Sequence, residues 1–323
     1  SQHDPNKILP IDYPWAREYY RDGVANNWVP EEVPMQDDVS QWQNDELTPE
    51  ERQLVEWNLG FFSTAESLTA NNIVLAVYDY VTAPECRQYL LRQAYEEAIH
   101  TDTFIYCCDS LGFDPDYLYG MYDRVPAIQE KDEFVVDLTR AIDRDDFTIE
   151  TDEDVRAFLR DLVGFYVIME GIFFYAGFAM MLALKRRGKM VGVGEQFAYI
   201  MRDESLHLNF GVDLINTIRE ENPGVWTDEF ETEVESLIRE AVDLEAVYAQ
   251  EACPEGILGT SADQFVEYVE YVADRRLHQL EMDPVYDTDN PFPWLSEQVD
   301  LNKESNFFER TVTEYQSGGS LDW

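Results

Sequence analysis

A chain of 323 residues is longer than a typical single domain, yet its 45% hydrophobic content can furnish one large core without staples. Its 66 acidic residues face 23 basic ones, a formal charge of −43, and such a surface repels phosphate, which excludes nucleic acid and anionic membrane as partners. With 14% aromatic residues, the charge belongs to the surface of a folded protein, and its simplest cause is adaptation to a very salty cytoplasm where ions screen self-repulsion; a dedicated cationic partner is the rival.

Residues 1–47 are rich in Pro, Trp and Asp without a sustained period, and are expected to wrap the rest as an irregular arm. Helix starts are then marked by hydroxyl-first capping boxes at Thr48-Pro49-Glu50-Glu51, Thr82-Ala83-Pro84-Glu85 and Ser261-Ala262-Asp263-Gln264. Stops stand at Gly112, at Gly188 after Lys185-Arg186-Arg187, and at Asn222-Pro223-Gly224. The pattern predicts long helices over 49–80, 83–111, 152–187 and 193–221, with further helices near 131–144, 228–251 and 262–281, and almost no strand. The expected class is therefore all-α: an arm over 1–47, a helical domain over 48–285 and a C-terminal segment over 286–323.

The stretches from Leu59 to Val81 and from Leu162 to Leu184 are nearly wholly apolar, and each carries one acid, Glu66 and Glu170. Leu162 to Leu184 could pass for a membrane span, but a central acid costs about 2.5–3.5 kcal/mol on insertion. Two such helices instead fit the inside of a soluble bundle that holds something cationic. Four cysteines (Cys86, Cys107, Cys108, Cys253) show neither CxxC spacing nor a disulfide framework, and no basic-then-apolar leader is seen, so the expected location is cytoplasmic.

Of four histidines, His100 and His207 complete Glu-x-x-His motifs with Glu97 and Glu204. On a helix, i and i+3 share a face, so each pair can grip one ion from one side. Glu66 precedes Glu97 by 31 residues and Glu170 precedes Glu204 by 34, one helix and a turn in each case. Two helical hairpins, each giving a Glu from its first helix and Glu-x-x-His from its second, make the ligand set of a carboxylate-bridged dimetal bundle. An isolated Glu-x-x-His is usually a solvated face; the apolar flanks of Glu170 argue otherwise, since a buried unpaired carboxylate costs several kcal/mol. Oxygen donors with two imidazoles and no thiolate fit Fe or Mn better than structural zinc.

At these residues the chain resembles the small, radical-generating subunit of class I ribonucleotide reductase. The likeness is carried by Glu66-Ser67-Leu68-Thr69-Ala70-Asn71-Asn72, Glu96-Glu97-Ala98-Ile99-His100, Arg202-Asp203-Glu204-Ser205-Leu206-His207 and Asn306-Phe307-Phe308-Glu309-Arg310. The resemblance implies a ferritin-like helical bundle, a homodimer and a large catalytic subunit that binds the nucleotide. One departure is Phe104, where the family usually places its radical tyrosine. With Glu rather than Asp at position 66, it resembles the tyrosine-less class Ic, in which a mixed manganese–iron centre stores the oxidising equivalent; a di-iron pair is the other option.

By the same resemblance, Trp28 and Asp203 match the family's electron route from His100, Tyr315 matches the tail tyrosine that passes the hole to the partner, and Tyr199 matches a subgroup tyrosine for the activating electron. Ordinary packing is the competing reading for Trp28 and Tyr199. The tail Ser317-Gly318-Gly319-Ser320-Leu321-Asp322-Trp323 reads as a mobile linker ending in an apolar anchor, Leu321 and Trp323, for the large subunit. Two other readings stay open: a manganese–iron ligand-binding oxidase of the same superfamily, which needs no such tail, and ferritin-like metal storage, which leaves Trp28 unexplained.

Overall fold

The computed structural model describes residue 4, residues 6–66 and residues 71–295. The predicted tail residues Tyr315, Leu321 and Trp323 lie outside the described residues. Within these the chain is helical, and the only pairing of the β type is an isolated bridge between Ile257 and Thr260. In order the helices are α1 (Pro14–Ala25), a 3-10 turn (Pro30–Glu32), α2 (Gln36–Gln43), α3 (Pro49–Ala65), α4 (Asn71–Tyr80), α5 (Pro84–Leu111), α6 (Pro115–Tyr119), α7 (Met121–Arg124), α8 (Pro126–Leu138), α9 (Asp152–Leu162), a π-helical segment (Val163–Phe173), α10 (Tyr175–Arg186), α11 (Val191–Glu221), α12 (Asp228–Ala252) and α13 (Ala262–Gln279).

Local chemistry explains most boundaries. The capping boxes at Thr48 and Ser261 form as the sequence predicts, hydroxyl to the N3 backbone and N3 side chain back to the cap. The third does not: Ala83 is the N-cap of α5 and makes no side-chain cap bond, while Glu85 instead accepts the backbone N–H of Asp12 at 2.7 Å. Gly112 ends α5 with φ +73°, a left-handed conformation that costs glycine nothing.

Three expectations need correction. The arm over 1–47 is not irregular, because α1 and α2 lie within it; neither start is marked by a side-chain cap, and α2 spans only 8 residues with Val39 and Trp42 as its apolar positions. The helix expected over 131–144 runs Pro126–Leu138, since Pro126 occupies its first turn, where a missing N–H costs nothing. The helix expected over 49–80 is not α-helical throughout: α3 runs to Ala65, Glu66 turns π-helical, and after residues outside the described ones α4 runs from Asn71.

The core is the continuous helix Asp152–Arg186. It is the one helix among the described residues long and apolar enough to cross a membrane, and its apolar window is wholly buried inside the protein. Its π segment packs on α11, α12, α9, α13 and α8, and α10 packs on α11, α13 and α3. Phe61, Phe62, Phe165, Phe173, Phe174, Phe178 and Phe197 are buried around it. Truncating one such ring to Ala costs about 3–5 kcal/mol, a third or more of a typical domain's net stability of about 5–15 kcal/mol. α11 starts at Met190 with φ +48°, and its first amides are capped from afar: Asp38 Oδ1 and Oδ2 accept the N–H groups of Gly192 and Val193, each at 2.8 Å.

Candidate metal centre

Four helical elements deliver the six predicted ligands to one place. Glu66 closes α3, Glu97 and His100 lie on α5, Glu170 on the π segment, and Glu204 and His207 on α11. All six are fully buried. They fall into two groups that share Glu97 and Glu204: Glu66, Glu97, His100 and Glu204, and Glu97, Glu170, Glu204 and His207, with the candidate ligand atoms of each group within 4.8 Å of one another. His100 Nδ1 lies 3.0 Å from Glu204 Oε1, 3.5 Å from Glu66 and 3.6 Å from Glu97. His207 Nδ1 lies 3.1 Å from Glu204 Oε2, 3.3 Å from Glu97 and 3.7 Å from Glu170.

The electrostatics are those of a cage built for cations. Burial pushes the carboxyls of Glu66 and Glu170 well above the usual carboxylate range, with Glu97 adding to it at Glu66 and Glu204 at Glu170. Burial would raise Glu97 too, but the neighbouring imidazoles of His100 and His207 hold it well below that range. Against burial, the surrounding carboxylates raise both imidazoles well above an ordinary histidine, Glu66 leading at His100 and Glu204 at His207. Without metal the imidazoles thus supply the positive charge. Both oxygens of Glu66 and of Glu97, Oε2 of Glu170, Oε1 of Glu204 and Nδ1 of His100 are buried with no hydrogen-bond partner. Buried polar atoms are ordinarily satisfied, so seven unsatisfied donor atoms facing one point fit a resident metal pair.

Each imidazole is backed by a further carboxylate. His100 Nε2 is 3.1 Å from Asp203 Oδ2, and the same oxygen accepts the Trp28 indole N–H at 2.8 Å. His207 Nε2 is 3.4 Å from Glu96 Oε2, and Glu96 Oε1 is 3.6 Å from Arg92 Nε. Trp28 stacks on Tyr199 at 5.0 Å between ring centroids, 19° apart in plane. Phe104 is buried, with its ring 5.8 and 5.9 Å from those of Phe62 and Phe197.

The sequence pattern did not single out Glu96, Gln93 or Tyr166. Tyr166 donates to Gln93 Oε1 at 2.9 Å, and the Gln93 amide donates to Glu170 Oε1 at 3.3 Å. The signal was there: Gln93 lies one turn before Glu97, and Tyr166 one turn before Glu170, each on the face of its helix that carries a ligand. Gly211 lets Tyr166 reach this place, because a Cβ there would lie 2.1 Å from the tyrosine's Cγ.

The family model described as "Ribonucleotide reductase, small chain" matches residues 5–291. Over its whole length the chain is 53% identical to the ribonucleoside-diphosphate reductase subunit beta of Chlamydia pneumoniae, covering 93% of that protein. It is 31% identical to the ribonucleoside-diphosphate reductase small chain of Nicotiana tabacum over 99% of this chain and 91% of that one. Among solved structures, the ribonucleotide reductase R2 subunit from Clostridium botulinum superposes with a TM-score of 0.81 at 28% identity, covering 89% of each chain. With the fold, the paired Glu-x-x-His helices and these likenesses in agreement, the chain belongs to the small-chain family of ribonucleotide reductase.

Proposed function

We propose that this chain is the small subunit of a ribonucleoside-diphosphate reductase, that Glu66, Glu97, His100, Glu170, Glu204 and His207 hold two metal ions, and that its oxidising equivalent leaves toward a large catalytic subunit. The observation that carries this reading is the pair of four-residue donor groups sharing Glu97 and Glu204, with buried oxygens that nothing else satisfies. When bound, a redox-active metal pair there supplies the reduction of dioxygen and the storage of an oxidising equivalent.

The chain's own residues do the rest. Glu97 and Glu204 stand between the two imidazoles, belong to both donor groups and would serve both ions. Asp203 fixes the His100 ring through Nε2 and is the acceptor for the Trp28 proton, so Trp28 can lose an electron without stranding a charge. The stack of Trp28 on Tyr199 makes a two-ring conductor beside it. The rings of Phe62 and Phe197 beside Phe104 keep water away and offer no oxidisable hydroxyl. That setting, with Glu at position 66, favours the tyrosine-less manganese–iron subgroup over a di-iron enzyme with a tyrosyl radical. Tyr315 is the proposed relay to the large subunit, and Leu321 and Trp323 its anchor.

A homodimer fits the surface. Leu75 on α4 and Leu91, Tyr95 and Ile105 on α5, two helices packed on one another, are exposed apolar side chains that a second copy could cover. The acidic surface itself we assign to life in a saline cytoplasm, which predicts a melting temperature that rises with KCl.

The decisive experiment loads the full chain with Mn(II) and Fe(II) in oxygen, measures metals per chain, and assays nucleotide reduction with and without the large subunit. Two ions per chain and activity only with the partner are expected. Fewer than two ions would refute the ligand assignment, and oxidation of a bound fatty acid without any partner would favour the ligand-binding oxidase. Removing the chain from Ser317 onward is expected to abolish association while sparing metal loading, whereas Tyr315→Phe keeps association and stops turnover.

A further inference from the structure

Glu170 lies on a π-helical segment of 11 residues, and three side chains from distant parts of the chain bind the backbone of that segment and of the first turn of α10 that follows it. Arg276 on α13 donates through Nε to the carbonyl of Gly171 at 2.8 Å. Lys131 on α8 donates through Nζ to the carbonyl of Phe173 at 3.0 Å. Glu245 on α12 accepts the N–H of Ala176 at 3.3 Å and pairs with Lys131 at 2.6 Å. Lys131 and Glu245 are fully buried and Arg276 is 6% exposed.

Stability alone does not call for a buried ion pair here. A buried ion pair costs several kcal/mol per ion to desolvate, and packed apolar residues of similar volume often serve as well or better. Lys131 is nonetheless sealed in, its Nζ 3.5 Å from the ring centre of Phe61 and 3.9 Å from that of Tyr248. What the three groups share is the backbone they hold. A π-helix closes i→i+5 bonds and is rare over more than one turn. Where it reverts to the α period, backbone groups fall out of both ladders, and each must find another partner. Gly171, Phe173 and Ala176 bracket that reversion, and the first is the residue after Glu170. A Cβ at Gly171 would lie 3.2 Å from Arg276 Nε and 3.0 Å from Leu208 Cδ1, so glycine there keeps the guanidinium close.

We propose that Lys131, Glu245 and Arg276 are positioning residues that lock the π register of Val163–Phe173 and thereby hold Glu170 in reach of the second ion. Reversion of the segment to the α period would rotate Glu170 by up to about 100° around the helix and out of the cage. This rests on the metal-centre reading above and deepens it. It concerns one half of the centre: Glu66 and His100 lie on α3 and α5, which these side chains do not grip through any backbone hydrogen bond among the described residues.

Cobalt(II) titration of the full metal-free chain, read by visible absorption and by metals per chain, tests it. Wild type is expected to bind two ions. Lys131→Met/Glu245→Gln is expected to melt within a few degrees of wild type without metal, to bind the first ion unchanged, and to bind the second at least tenfold more weakly. Arg276→Met is expected to do the same, and Arg276→Lys to recover most of the loss, since an ammonium can still donate to the Gly171 carbonyl. Should the double variant not fold, Glu245→Asp carries the test, because it keeps the charge but draws the carboxylate back from Ala176 by one methylene. Folded variants that bind both ions with wild-type affinity would overturn the clamp while leaving the metal centre intact. A wild-type chain that took up fewer than two ions would instead overturn the metal-centre reading, and the clamp with it.

Discussion

The two halves of the candidate centre contain the same side chains, a lone Glu and a Glu-x-x-His, but differ in what stands behind them. In the Glu66–His100 half, Glu66 lies in a π turn directly after α3, and the His100 imidazole leads outward through Asp203 to Trp28 and on to the partly exposed Tyr199. The Glu170–His207 half lies inside an unbroken 35-residue helix; behind it are Gln93, Tyr166 and the Glu96–Arg92 pair. A duplicated ligand pattern therefore does not give a symmetric site. One half is connected to an oxidisable aromatic pair, and the other is anchored to the core.

The largest break comes from the residues both halves share. Glu204 lies 3.0 Å from one imidazole and 3.1 Å from the other, so Glu204→Ala is expected to bind fewer than one ion per chain and to lose turnover entirely. Glu66→Ala, which touches only the first half, is expected to keep one ion. Metal analysis of the two variants separates the cases, and equal losses would show that the halves do not bind independently.

The carboxylates behind the imidazoles give a sharper contrast. Substituting such a partner ordinarily costs about 10–100-fold in affinity or activity. Asp203→Asn is expected to lower both metal affinity and nucleotide reduction, because it serves the His100 ring and the Trp28 indole together. Glu96→Gln is expected to lower affinity at the His207 half alone. Trp28→Phe, which removes the indole N–H but no ligand, completes the set: full metal content with turnover at background. If Trp28→Phe retained reduction, the outward route would have to run elsewhere.

A third outcome is thermodynamic. In the metal-free chain both imidazoles hold protons more tightly than the ordinary 6.5, and Glu66 and Glu170 more tightly than the ordinary 4.5. A raised folded-state pKa stabilises fully below the unfolded value and ceases to do so as pH rises through the folded one. The metal-free protein should therefore melt progressively lower as pH climbs, the two carboxyls acting from 4.5 upward and the two imidazoles adding to the loss from 6.5 upward, every tenfold difference in proton affinity being worth about 1.4 kcal/mol. Glu97 and Asp203 are shifted downward, so their contribution acts on the acid side and leaves this window alone. Metal displaces the imidazole protons, and the loaded protein should show a much flatter profile. Parallel melting curves for the two forms between pH 6.5 and 9 would contradict the assignment of the protons to the cage.

How far the sequence could be read depended on whether the information was local. Thr48, Ser261, Gly112 and Gly188 act within one turn of themselves, and the helix ends they mark lie where the pattern places them. The six candidate ligands were legible because Glu-x-x-His carries its own geometry and an acid in an apolar helix demands a partner. What stayed hidden was supplied across the fold. No window around Gly192 reveals that Asp38 caps α11, and nothing near Lys131 announces that it grips the carbonyl of Phe173. The π segment was equally silent, since its side chains are apolar all round and no period, 3.6 or otherwise, can be read from them.

The smallest expected effect lies at Phe104, next to the outward-leading half. Among the described residues its ring stacks on Phe62 and Phe197 alone, so Phe104→Tyr places a hydroxyl among aromatic rings. A buried donor without a partner costs about 1–3 kcal/mol. The variant should melt a few degrees lower, keep both ions, and gain no activity, because a phenol that cannot pass its proton to an acceptor is hard to oxidise. Electron paramagnetic resonance after oxygen exposure distinguishes this from the alternative: neither wild type nor variant is expected to accumulate a long-lived tyrosyl signal. A stable tyrosyl radical in the wild type, with activity that tracks it and no requirement for manganese, would remove the tyrosine-less assignment and leave the reductase reading standing on its metal cage and on Trp28.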